Sequence, residues 1–198
     1  MSISHLDYFN AIARECSENV IDDPNLNGYL LEFGVSAGDR ILDLGAGTGR
    51  LTRLILELVG DGGYVCSLDI AINMLKYCHC ADKSRERNVQ VCADAADLPF
   101  KMDCFDKIIC YSTFPHLVSP ISVLRETERI LRKNGKILIL HSCCSKKLNA
   151  MHASFSSIVA KDRLPRADEL GRQLCRIGFC VEKHLERPDL YWVECRKT

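Results

Sequence analysis

Residues 41–50 read Ile41-Leu42-Asp43-Leu44-Gly45-Ala46-Gly47-Thr48-Gly49-Arg50. The run from Arg40 to Leu44 has the length and apolar content of a buried strand. Leu51, Leu54, Ile55 and Leu58 follow at helical spacing, so the glycines occupy a strand-to-helix turn. Three alternate glycines let the backbone bend tightly and let a ligand approach with no Cβ in the way. The turn lies beyond the carboxyl end of a strand, where open α/β sheets bind their ligands.

The flanking residues narrow the ligand class. A phosphate loop needs a Lys after its last glycine, and none follows here. A dinucleotide loop needs Gly at the sixth position from Gly45, which is Arg50. Asp43 would repel a pyrophosphate and suits a cationic ligand with an ammonium group. Asp69 ends the next strand, 20 residues after Gly49, about where doubly wound nucleotide folds place a carboxylate for ribose hydroxyls. Together these imply an adenosine-like ligand that carries positive charge and no phosphate, a description that S-adenosylmethionine fits.

Outward from this turn, apolar strands alternate with helical periodicity, the pattern of an α/β fold with a doubly wound, mostly parallel sheet. Strands are expected at Tyr64–Leu68, Asn88–Ala93, Phe105–Tyr111 and Lys136–Leu140. A helix is expected from Ile70 to about Cys80, and another opens at Pro120 and ends at Asn134-Gly135, with Gly135 free to take a left-handed cap. Residues 145–161 read as a partly helical excursion. A helix over Ala167, Leu170, Leu174 and Ile177 stops at Gly178. Phe179–Leu185 and Tyr191–Glu194 flank Arg187-Pro188-Asp189, a link short enough only for antiparallel neighbours.

Four blocks in order give a family resemblance. Leu42 to Gly49 resembles the glycine motif of the class I S-adenosylmethionine-dependent methyltransferases, and within them the small "type 11" group. Asp69, with Ile70 beside it, matches the ribose-binding acid, and Met74-Leu75 resembles residues that flank the adenine. Ala93-Asp94-Ala95-Ala96-Asp97-Leu98-Pro99-Phe100 is similar to the third-strand motif, in which Asp94 would face the adenine amino group and Ala95 offer its N–H. Phe105-Asp106 through His116-Leu117 resembles the segment lining the methyl-transfer site, and Leu124-Arg125-Glu126 through Gly135-Lys136-Ile137 the block after it. The resemblance implies a Rossmann-like, seven-stranded sheet in order 3-2-1-4-5-7-6 with strand 7 antiparallel, S-adenosylmethionine as methyl donor and S-adenosylhomocysteine as product. It assigns Asp43, Gly45, Ala46, Gly47, Gly49, Asp69, Ile70, Met74, Asp94, Ala95 and Tyr111 to the cofactor. Phe9-Asn10-Ala11-Ile12-Ala13-Arg14-Glu15-Cys16-Ser17 resembles the family lid, with Cys16 and Ser17 departing from its Trp-Asp.

The expected organisation is a single domain over residues 1–198. It comprises an N-terminal lid (1–30), a cofactor-binding core (31–142), an acceptor-site insertion (143–163), and a last helix with closing hairpin (164–198). Lys plus Arg and Asp plus Glu are 26 each, which gives none of the basic surplus of a nucleic-acid binder. No apolar run is long enough for a membrane span and no secretory leader is visible, so a cytoplasmic monomer or homodimer acting on a small-molecule acceptor is expected. A non-catalytic S-adenosylmethionine-binding module is the alternative reading, and tRNA methylation a more distant one. His116 is the expected general base. His141, Cys143, Cys144 and His152 show no standard ligand spacing, so no metal is expected; they could shape a pocket for a soft acceptor such as a thiol. Of 12 cysteines, those in apolar stretches (Cys66, Cys92, Cys110, Cys175, Cys180) read as buried thiols, Cys78 as core-facing and His79 as exposed.

Overall fold

A computed structural model describes residues 3–19, 23–78 and 86–198. The turn quoted above joins β1 (Arg40–Leu44) to α3 (Arg50–Val59). Before it stand α1 (His5–Glu18) and α2 (Leu26–Glu32). After it come β2 (Tyr64–Asp69), α4 (Ile72–Tyr77), β3 (Asn88–Cys92), β4 (Phe105–Tyr111), α5 (Pro120–Ile130) and β5 (Leu131–His141). The chain closes with α6 (Ser145–Ala153), α7 (Ala167–Ile177), β6 (Phe179–Arg187) and β7 (Leu190–Lys197). These strands form one sheet in the order β3-β2-β1-β4-β5-β7-β6. β1 to β5 pair in parallel, and β7 runs antiparallel to both β5 and β6. The expected order and the antiparallel seventh strand are both present.

Successive residues of a strand point to opposite faces, and helices cover both faces. Leu42, Leu44, Ile108, Ile137 and Ile139 pack with Val123 and Leu124 of α5 and Leu170 and Leu174 of α7. Ile41, Val65, Ile109, Leu138 and Trp192 pack with Leu26 and Leu30 of α2 and Ile55 and Val59 of α3. A polar chain crosses the second layer: Thr52 Oγ1 donates to Asp43 at 2.6 Å and lies 3.1 Å from Ser67 Oγ, which donates to Asn88 Oδ1 at 2.7 Å.

Several expectations shift. α3 buries Leu51, Thr52, Ile55, Leu56 and Val59, leaving Leu54 and Leu58 half-buried. α5 ends at Ile130, and β5 begins at once because Leu131 already pairs with Phe105. Asn134 takes the left-handed conformation there (φ 64°), while a Cβ on Gly135 would press on the Arg132 and Asp106 carbonyls at 2.9 and 3.0 Å. The closing strands run longer than expected, leaving Pro188-Asp189 as the turn. Cys66, Cys78 and Cys110 are buried, but Cys92, Cys175 and Cys180 are exposed. Cys92 and Cys180 lie on the edge strands β3 and β6, each with a neighbour on one side, and Cys175 on α7. His79 and Cys80 lie outside the described residues. Among the described residues no helix is long and apolar enough to cross a membrane.

Candidate functional site

The carboxyl ends of β1, β2 and β4, with the segment after β3, line a cleft of about 440 Å³ that α1 covers. Its floor is the glycine turn. The N–H groups of Gly45 and Ala46 donate to the Leu68 carbonyl at 2.8 and 2.9 Å, which ties the turn to β2. Gly45 has φ 80°, and a Cβ there would overlap the Thr113 side chain, whose Oγ1 donates to the Gly45 carbonyl at 3.1 Å. Only glycine permits that approach from the segment after β4.

Asp69 ends β2 at the side of this turn. Its Oδ2 accepts from Gly47 N at 2.9 Å and its Oδ1 from Ala71 N at 2.8 Å. Burial pushes its carboxyl above the usual range, and the N–H groups of Ala71, Gly47 and Ile70 oppose that shift. Each oxygen keeps further acceptor capacity. Ile70 and Met74 supply an apolar wall, and Asp94 and Ala95 follow β3 on the same side. Asp94 Oδ1 accepts from Ala96 N at 2.9 Å, which fixes the bend there. Tyr111 and Ser112 stand opposite, with Ser112 at φ 54°, a conformation rarely adopted by a residue with a side chain. The Arg50 guanidinium lies 6.0 Å from the centre of the Tyr111 ring.

Ten expected site residues therefore share one cleft: Gly45, Ala46, Gly47, Asp69, Ile70, Met74, Asp94, Ala95, Tyr111 and His116. Asp43 and Gly49 do not line it. Asp43 is only 1% exposed and faces Thr52 beneath the turn, so it meets α3 and not a ligand. Burial pushes its carboxyl up to about 7, against the Thr52 hydrogen bond that favours the charged form. Gly49 (φ 81°) caps α3 and packs on Cys78, whose sulfur a Cβ would overlap.

α1, with its C-cap Asn19, contributes His5, Phe9, Cys16 and Asn19 to the cleft. It docks on α4 through Asn10, whose Oδ1 accepts from Asn73 N at 2.9 Å and whose carbonyl accepts from Asn73 Nδ2 at 3.2 Å. Ala13 and Met74 are buried in that contact, with Phe9 and Cys16 packed around them.

At the other end of the cleft sits a group that sequence spacing did not reveal. His116 Nδ1 lies 2.6 Å from Asp162 Oδ2, and His5 Nε2 lies 2.9 and 3.0 Å from the two oxygens of the same carboxylate. Burial would raise the Asp162 carboxyl, but the hydrogen bonds of His116 and His5 hold it below the usual range. The ligand atoms of the three groups lie within 4.8 Å of one another. His152 packs against His116 with ring centres 5.1 Å apart. His141 is fully buried, and that burial, with His116 and His152 adding to it, drives its imidazole down to about 3. Cys143 and Cys144 are half-buried and do not join the set. His5 and Asp162 carry no local signal; contacts 157 and 46 residues apart in the chain are visible only in the fold.

Comparison with known proteins agrees with this fold. The family model Methyltransf_11, a methyltransferase domain, matches residues 42–139. A ubiquinone/menaquinone biosynthesis C-methyltransferase, UbiE, of Vibrio parahaemolyticus is 38% identical over 112 residues, covering 54% of this chain and 42% of the relative. The chain spans about half the length of the relatives it matches. A methyltransferase structure from Aquifex aeolicus, described as S-adenosylmethionine-dependent, superposes with TM-score 0.73 at 19% identity, covering 96% of this chain and 98% of that one. A Haemonchus contortus phosphoethanolamine N-methyltransferase 2, solved with phosphomonomethylethanolamine and S-adenosylhomocysteine, superposes with TM-score 0.72 at 21% identity, covering 92% of this chain and 46% of that one.

Proposed function

The chain belongs to the class I S-adenosylmethionine-dependent methyltransferases, and from that premise we propose that it transfers the methyl group of S-adenosylmethionine to a small-molecule acceptor and releases S-adenosylhomocysteine. The observation that carries this is the pairing of Asp69 with the open face of the glycine turn. A Cβ on Gly47 would meet nothing within 4 Å, so the backbone there leaves room for a ligand edge. Asp69 beside it offers carboxylate oxygens to a pair of hydroxyls. At the glycine turn and the segment after β3, Asp69 and Asp94 stand beside apolar Ile70, Met74 and Ala95, which suits a cationic nucleoside.

Bound S-adenosylmethionine supplies a methyl group on a positively charged sulfur. The chain's own residues align and shield. Asp69 holds the ribose, Ile70 and Met74 flank the base, and Asp94 and the Ala95 N–H read its edge. The Tyr111 carbonyl receives the ammonium. Asp43 acts from below by holding α3 to the turn through Thr52. α1, with Phe9 and Cys16, closes the cleft and excludes water, which matters for in-line displacement between aligned groups. His116 occupies the acceptor end; with Nδ1 on Asp162, its Nε2 is the nitrogen left to take a proton from the acceptor.

Leu117 and the exposed Val118 rim that end of the cleft. This apolar rim, together with the name of the relatives, makes quinol-type compounds the acceptors to try first. The test is S-adenosylhomocysteine production by the purified chain across a panel of quinols, phenols, thiols and amines. Turnover with one class supports the proposal. Binding of the cofactor with no turnover on any class contradicts it. His116→Ala should lower turnover by roughly 100-fold or more and leave the cofactor dissociation constant near that of the parent; unchanged turnover would make His116 a wall residue only.

A further inference from the structure

We propose that His5, His116 and Asp162 form a binding site for one divalent transition-metal ion of the zinc or iron(II) class at the acceptor end of the cleft. The three groups come from three separate elements: the first residue of α1, the short 3-10 turn Phe114–His116 after β4, and the residue that follows the 3-10 turn Ile158–Lys161. Their ligand atoms nevertheless converge within 4.8 Å. An ion bonded at about 2.0–2.2 Å accommodates donors roughly 3–4 Å apart, so the set closes on an ion with small side-chain adjustments. Two imidazoles and one carboxylate are nitrogen-rich borderline donors, which suit zinc or iron(II) and not magnesium or calcium.

A second observation points the same way. Fully buried His141, whose imidazole feels the charges of His116 and His152, has no partner for Nε2 among the described residues, and the buried hydroxyl of Tyr191, whose ring centre is 5.6 Å from that imidazole, has none either. His152 packs on His116 with ring centres 5.1 Å apart and has Nδ1 3.3 Å from the Asp162 carbonyl. A buried polar group without a partner destabilises the fold. A polar interior with such orphans, next to a convergent ligand set, is that of a site built for something beyond the chain's own packing. His152 and the Asp162 carbonyl would then form the outer layer that orients the ligands.

Three protein ligands leave coordination positions free, as catalytic sites do and structural ones do not. His5 and His116 both line the cleft, so a free position faces the acceptor. The acceptor class this selects is one bearing an ionisable oxygen or sulfur, whose proton the bound ion would make more acidic. In the ion-free chain His116 Nε2 is the proton acceptor; in the ion-bound chain His116 ligates through Nδ1, keeps a proton on Nε2, and the ion takes over activation of the acceptor. Ion binding itself is independent of the methyl-transfer proposal; only the role of the free position rests on it.

The test is titration of the full, chelator-treated chain with Zn²⁺ and with Co²⁺, followed by calorimetry and visible absorption. One equivalent should bind, and the Co²⁺ spectrum should show nitrogen and oxygen ligation without a thiolate charge-transfer band. His5→Gln and Asp162→Asn should each weaken binding about tenfold or more, while melting in chelator verifies that they fold. His184→Gln, on exposed edge-strand β6, should change nothing. Absence of stoichiometric binding by the parent chain, a thiolate band, or unchanged affinity in both folded variants overturns the proposal. S-adenosylhomocysteine is titrated in parallel. A chain that binds it but no ion loses only the metal site; one that binds the ion but not the nucleoside loses only the methyltransferase proposal.

Discussion

Asp43, one residue before the end of β1, and Asp69, the last residue of β2, meet opposite surroundings. Asp43 points into the layer under α3 and finds one hydroxyl, Thr52; Asp69 points along the cleft and finds backbone N–H groups. In the proposed role Asp69 accepts from both ribose hydroxyls, so Asp69→Ala should weaken cofactor binding by about 2–4 kcal/mol, roughly 30- to 1,000-fold, read as a dissociation constant. Asp43 carries a different signature. Its carboxyl titrates at about 7 in the fold against an ordinary value of 3.8. A raised carboxyl stabilises the fold fully below about pH 4, and that contribution is lost as pH rises through about 7. The melting temperature of the parent relative to Asp43→Asn should therefore fall between those limits and level off above them; a constant difference would mean that Asp43 is charged throughout. Asp69 was legible from its distance to the glycines. The direction of Asp43 was not, because the sequence does not say which face of β1 the next helix covers.

The elements explain the rest of the site. α1 is held over the cleft by Asn10 and Asn73 and by His5 on Asp162. Asn73→Ala removes the Nδ2 donor to the Asn10 carbonyl and keeps the backbone donor to Asn10 Oδ1, and amide exchange in α1 should then quicken by about fivefold with the core strands unaffected; unchanged exchange would locate the stability of α1 in its remaining contacts, Ala13 and Met74 among them. At the start of α3, Gly49→Ala places a side chain at φ 81° against Cys78. It should cost about 1–2 kcal/mol from the backbone alone, plus the displacement of Cys78, measured by denaturant unfolding. The strand-to-helix turn was legible because a run of apolar residues changes period at the glycines. The junction of α5 and β5 was not, because Asn134-Gly135 reads as a helix stop. In the fold, Leu131 is taken up earlier by pairing with Phe105.

For the whole molecule, the sheet sets where the cleft lies: the turns after β1 and β4 diverge to opposite faces, and the ligand site opens between them. The closing strand β7 is part of that frame, with Trp192 fully buried in the layer under α2 and its Nε1 donating to Glu194 Oε2 at 3.2 Å. Trp192→Ala should destabilise the fold by about 3–5 kcal/mol, seen as a lowered denaturation midpoint. Strand order and the antiparallel hairpin were legible from the family resemblance and the short Arg187-Pro188-Asp189 link; the meeting of residues 5, 116 and 162 was not, since long-range convergence leaves no periodic trace. The central claim is that the cleft holds a cationic nucleoside without phosphates. Calorimetric titration of the purified chain with S-adenosylmethionine, S-adenosylhomocysteine and a nicotinamide dinucleotide tests it most directly. The account predicts one site for each of the first two, weakened in Asp69→Ala, and no heat from the third; firm binding of the dinucleotide with none of the other two would contradict it.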